Sequence, residues 1–165
     1  MIFYHGTTTA RLADILEEGL VPQVAHDNLD RTCVYLTDSL SIAELYADLA
    51  AIRRGGKAVI VEIDDRCLPS QFFAPDDYEL QNGIDDLHDP ERTGDVGFLT
   101  GEDVDERLRP FRRWQDVPAA LCLAVTNQIA FTDTIPPTAF NNVDQLSAVE
   151  LPKDLRNCST APRLI

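Results

Sequence analysis

Over residues 2–64 the chain alternates twice between a short β-pattern and an amphipathic helical pattern, then closes on a third β-pattern, and glycines stand at the joints. Ile2 to His5 is an apolar and aromatic run ended by Gly6, so it reads as a strand entering a turn. Thr7 or Thr8 is placed to cap a helix whose Leu12, Ile15 and Leu16 share one face and which Gly19 stops. Residues 20–32 read as a polar loop, and Cys33 to Leu36 as a second strand carrying the β-formers Val34 and Tyr35. In the next segment Ser41 and Glu44 fit a capping box, Ile42, Leu45, Leu49 and Ile52 mark one helix face, and Gly55-Gly56 ends it. Lys57 to Ile63 (KAVIVEI) is the clearest strand of the chain and is expected at the centre of a sheet.

Beyond this frame the pattern weakens. Residues 76–106 hold twelve acidic residues and one basic residue, Arg92, interrupted by Pro90 and several glycines, and read as a solvated, loop-rich excursion. Ala119 to Thr126 and Ile129 to Phe131 read as strands, or as one strand bent near Asn127-Gln128. Ile135-Pro136-Pro137 marks a turn, and residues 146–151 are a last strand candidate. Two early helices followed mostly by strands indicate an α+β domain with a split, mixed sheet and flanking helices, not a doubly wound parallel sheet. A chain of 165 residues supports one sizeable core. We place the domain at 1–152 and a loosely held C-terminal tail at 153–165.

Asp and Glu outnumber Lys and Arg by 28 to 14, a formal charge of −14, which excludes a broad electrostatic grip on nucleic-acid backbone. No apolar run approaches a bilayer span and no export signal opens the sequence, so no membrane is expected as partner and the cytoplasm is the expected compartment. Cys33, Cys67, Cys122 and Cys158 form no close pair and read as reduced thiols. A metal site is not expected, because no Cys or His pair has ligand spacing and the acidic run lacks a calcium-loop order.

Three stretches can carry chemistry: Tyr4-His5-Gly6-Thr7, Val34-Tyr35-Leu36-Thr37 with Tyr46 on the following helix, and a late strand entering Thr126-Asn127-Gln128. In this order they resemble the ADP-ribosyltransferase superfamily in its histidine–tyrosine–glutamate branch. The N-terminal third is most similar to the small rifamycin-modifying transferases, over about residues 3–64, and a fainter likeness returns from Trp114 to Phe140. The resemblance implies an NAD-dependent mono-ADP-ribosyltransferase in which His5 hydrogen-bonds a ribose hydroxyl, the backbone of Gly6 holds the nicotinamide amide, and Thr7 also belongs to the cofactor site. Tyr35 and Tyr46 would flank the ring. Such roles are physically available, since imidazole can donate or accept and an aromatic face favours a cationic ring.

The family's glutamate maps to Gln128, whose amide can hydrogen-bond a ribose but brings no charge to an oxocarbenium-like sugar. Asp76, Asp77 and Glu150 are the acids that could take that part. His26 and His88 read as solvent-exposed loop residues, while Arg31 or the helix-end pair Arg53-Arg54 could meet the pyrophosphate of NAD. The resemblance implies NAD as ADP-ribose donor, a protein, nucleic acid or small molecule as acceptor, and an antitoxin or immunity partner if the domain is a toxin. Two other readings stand beside it: a non-catalytic NAD- or ADP-ribose-binding module, and an RNA 2′-phosphotransferase. The second expects a histidine-containing strand where this chain has Val34-Tyr35-Leu36.

Overall fold

In the computed structural model, which describes residues 1–24, 32–88, 91 and 102–149, one sheet organises the chain. Its strands are β1 (Ile2–Thr8), β2 (Gln23–Val24), β3 (Thr32–Thr37), β4 (Ala58–Asp64), β5 (Phe73–Ala74) and β6 (Gln128–Phe131). The order across the sheet is β4-β1-β3-β6-β5, and β2 pairs with the start of β3. The helices are α1 (Leu12–Glu18), α2 (Leu40–Arg54), α3 (Asp77–His88), α4 (Glu102–Leu108), α5 (Ala119–Thr126) and α6 (Val143–Ser147). The class is α+β in a single domain, as the sequence indicates. Within it every ladder among the described strands is antiparallel, so the expected mixture of strand directions is corrected.

β1 is unequally tied to its neighbours. It pairs with β4 along its whole length, from Ile2 opposite Asp64 to Thr8 opposite Ala58, but meets β3 at one register pair, Tyr4 with Thr37. The sheet is therefore divided between β1 and β3. One face of the sheet carries Phe3, Val34, Leu36, Val61, Ile63, Ile129 and Phe131, which form the main core with Leu12 and Ile15 of α1 and Leu146 of α6. Phe73 closes that core, its ring centroid 5.2 Å from Phe131 and 5.6 Å from Phe3.

KAVIVEI forms β4 at the edge of the sheet, not at its centre. The strand looks internal because its open side is covered: Asn141 N–H donates to the Glu62 carbonyl (2.8 Å), and the Asn142 side chain accepts from Glu62 N–H and donates to the Ile60 carbonyl, both at 3.0 Å.

Several other expectations change. Thr7 and Thr8 belong to β1 and cap nothing. Instead Thr8 Oγ1 donates to the Gly55 carbonyl and Thr9 Oγ1 accepts from Lys57 N–H, tying β1 to the turn after α2. α2 begins at Leu40 without a side-chain cap, so Ser41 and Glu44 form no capping box. The buried face of α2 is Ala43 and Ala47, and the larger Leu45 and Ile52 stay exposed. The reason lies under the helix at Gly6, where a Cβ would overlap the Ala43 carbonyl and the Ala47 nitrogen.

The acidic stretch is structured over its described parts. Leu80 and Ile84 of α3 join Leu108 of α4 and Cys122 and Val125 of α5 in a second apolar cluster. Ala119–Thr126 is helix, not strand; it starts after Pro118 and ends at Asn127 in the left-handed region (φ 57°), from which β6 departs. The strand candidate at 146–151 overlaps α6, and Glu150 and the tail 153–165 lie outside the described residues.

Candidate functional site

Alternation along paired strands places Tyr35, Thr37, Gln128 and Ala130 on the face opposite the main core, since Tyr35 pairs with Ala130 and Thr37 with Gln128. The same register puts Tyr4 and Gly6, beneath α2, on that face. The turn between α5 and β6 is locked to the end of β3: Thr37 Oγ1 donates to the Asn127 carbonyl at 2.6 Å, and Asp38 N–H reaches it at 3.2 Å. Thr126 Oγ1 accepts from Gln128 N–H (3.0 Å). Gln128 is held by its backbone, while its buried side chain makes no hydrogen bond to another described residue.

Asp77 opens α3 and is fully buried. Its Oδ1 accepts a hydrogen bond from the Tyr35 hydroxyl at 2.6 Å, and its Oδ2 is buried with no partner among the described residues. A buried carboxylate oxygen without a donor is costly, on the order of 1–3 kcal/mol, unless something binds there. Burial, and after it the bond to Asp77, push the Tyr35 phenol well above its ordinary value, so Tyr35 stays a proton donor through the physiological range.

His5 reaches across the divide in the sheet: its Nδ1 lies 2.9 Å from the Tyr35 carbonyl oxygen, to which only a protonated Nδ1 can donate. Burial holds the imidazole below its ordinary value, the hydrogen bond to Tyr35 opposes this, and the positive charge of Arg11 adds to it. His5 is then neutral at pH 7, with Nε2 left as an acceptor.

Tyr35 thus links His5, which alternation places on the core face of β1 and which meets the Tyr35 carbonyl, to Asp77, which meets the Tyr35 hydroxyl, with Gln128 on the face of the Tyr35 side chain. Tyr46 stands on α2 at the turn that overlies Gly6 and is 39% exposed. Thr7 is buried. The missing Cβ of Gly6 makes room for α2. Asp76 is buried beside Asp77, and its N–H meets Cys122 Sγ at 3.1 Å. His88 ends α3 instead of lying in a loop, accepting from Arg112 at Nδ1 (2.8 Å) and donating from Nε2 to the Phe111 carbonyl (2.6 Å). Arg53 and Arg54 are exposed at the end of α2, and His26 and Arg31 lie outside the described residues.

Arg11, unremarked in the sequence reading, stands just after β1. Its Nη1 is 3.4 Å from Gln23 Oε1, its Nε is 3.7 Å from Asp14, and that Nε is buried without a hydrogen bond to a described residue. No disulfide links the three described cysteines. Among the described residues no group of His, Cys, Asp and Glu is placed to hold a metal, and no helix is long and apolar enough to cross a membrane. Comparison with protein-family models, with curated proteins and with solved structures returned no match for this chain.

Proposed function

We propose that the chain is an NAD-dependent mono-ADP-ribosyltransferase whose nicotinamide-ribose site lies on the sheet face around Tyr35, Asp77 and Gln128. The observation that carries this reading is the buried Tyr35–Asp77 pair with its orphaned Oδ2. A transferase of this kind breaks the bond from ribose C1′ to the nicotinamide nitrogen. The electron pair leaves with nicotinamide, the sugar becomes oxocarbenium-like, and an acceptor nucleophile bonds to C1′ and gives up a proton. The site must hold the sugar and stabilise positive charge.

Gln128 brings no charge to that task, and Asp77 Oδ2 supplies it. Neutral His5, at the divide between β1 and β3, accepts a ribose hydroxyl at Nε2, Gln128 offers its side-chain amide from the Tyr35 face, and the Tyr35 and Tyr46 rings flank the nicotinamide. Asp77→Asn should keep NAD affinity and lower nicotinamide release about a hundredfold, as loss of a transition-state charge partner does. Calorimetry tests the binding half: NAD affinity that is equal in wild type, His5→Ala and Tyr35→Ala would overturn the reading.

The glutamine at position 128 favours a second reading, a module that binds NAD without turning it over. Wild-type protein that binds NAD but releases no nicotinamide, and a Gln128→Glu variant that does release it, would decide for that module.

A further inference from the structure

We propose that Arg11 forms the subsite for the diphosphate of a dinucleotide ligand, gripping phosphate oxygens through the guanidinium edge whose Nε makes no hydrogen bond to a described residue. This rests on the reading of an NAD site at His5 and Tyr35 and adds to it the residue that selects for the phosphorylated half of the molecule.

Arginine is seldom left with a buried donor unmatched, because desolvation of that donor is uncompensated. Here Nε is buried and makes no hydrogen bond to a described residue, and the guanidinium's two polar neighbours among the described residues are loose: Gln23 at 3.4 Å and, at 3.7 Å, an Asp14 carboxylate whose side chain is 69% exposed. A guanidinium held this weakly, with two thirds of its side chain withdrawn from solvent, is poised to exchange those contacts for a bidentate anion.

Its place in the fold fits a diphosphate. His5 bridges from β1 to β3 at Tyr35, and Arg11 bridges from the segment after β1 to Gln23, which is paired with Cys33 of β3. Tyr35 and Cys33 are successive positions on alternate sides of one intervening residue, about 7 Å apart along a strand. The diphosphate of a dinucleotide begins at the 5′ carbon of the ribose that His5 would hold, at a comparable distance. In a protein of charge −14, a cation beside the site also contributes the local field that draws an anion in. The positive charge of Arg11 adds to the lowering of His5, after the effect of burial, so the guanidinium lies within electrostatic reach of the imidazole.

The test is calorimetric titration of the intact protein with NAD, which carries the diphosphate, and with nicotinamide riboside, which lacks it. Arg11→Gln should weaken NAD at least tenfold and leave nicotinamide riboside unchanged, and Arg11→Lys, which keeps the charge but loses the fork, should fall between. Circular dichroism and thermal melting establish that both variants are folded. Unchanged NAD affinity in Arg11→Gln overturns the proposal, as does an equal loss for both ligands, which would make Arg11 a support of the fold.

Wild-type protein that binds neither ligand sinks the NAD reading alone. Inorganic pyrophosphate then judges Arg11: a rise in Tm on adding it that Arg11→Gln abolishes sustains the anion subsite, and its absence removes it.

Discussion

His5 couples the chemistry of the site to the stability of the fold. Its folded value lies below the ordinary 6.5, chiefly through burial, so the unfolded chain takes up a proton near that pH that the folded chain refuses. Stability from this group is complete above 6.5 and is lost as pH falls through the lower folded value. His5→Gln, which retains a donor for the Tyr35 carbonyl, should flatten the loss of urea midpoint between pH 7.5 and 5; an unchanged pH dependence would place the acid sensitivity elsewhere. Tyr35 acts with the opposite sense. Its raised value means that stability is intact below its ordinary 10 and declines at more alkaline pH, and Tyr35→Phe should remove that decline. His5 and Tyr35 were legible in the sequence because a strand-ending His-Gly and a Val-Tyr-Leu strand carry the pattern locally. Asp77 was legible only as one acid among several, since nothing in a linear sequence says which carboxylate α3 will bury against a phenol. Arg11 was invisible because an arginine next to a helix start has an ordinary surface explanation, and only its orphaned Nε argues otherwise.

Among the elements, the tightest junction is α2 on β1. A Cβ at Gly6 would overlap main-chain atoms of Ala43 and Ala47, which cannot rotate away as a side chain can. Gly6→Ala should therefore cost about 3 kcal/mol or more in urea unfolding, at the upper end of overpacking, and a wild-type midpoint would show that α2 yields there freely. The same junction explains why the helix face read from sequence was wrong. Large residues at helical spacing imply burial by area, but a helix pressed onto backbone can bury only small ones, so Ala43 and Ala47 face inward and Ile52 remains 80% exposed. α5 was misread for a different reason. AALCLAVT has no polar position to reveal a period, and the signals that distinguish helix from strand lie just outside it, in Pro118 before and the left-handed Asn127 after. In α3 the count of acids obscured Leu80, Ile84 and Leu87, whose spacing on one face marks the helix that meets the second cluster.

For the whole molecule, the first 64 residues supply β1, β3, β4 and α2, but the face that carries Tyr35 is incomplete until β6, from residues 128–131, pairs beside β3. Thr37 and Asn127, whose contact fixes that docking, are 90 positions apart in sequence. A pairing of such range closes a large loop, which is why the strand order could not be read from local pattern. On the proposed NAD reading it also predicts that a fragment ending before α5 will lack the NAD binding expected of the full chain even if its N-terminal half retains secondary structure, which calorimetry and circular dichroism together would check. Asn142, whose side chain imitates a neighbouring strand against β4, bears on a different property of the protein. Removing it in Asn142→Ala strips partners from Glu62 N–H and the Ile60 carbonyl and should cost about 1–2 kcal/mol by equilibrium unfolding. At the other margin of the sheet β5 offers only Phe73 and Ala74. With one border occupied by an asparagine and the other two residues long, the described margins at β4 and β5 offer a second molecule no free ribbon along which to join. Wild-type protein is then expected to stay dispersed on concentration, whereas Asn142→Ala should grow turbid and bind thioflavin, because the exposed β4 becomes a template for its own copies.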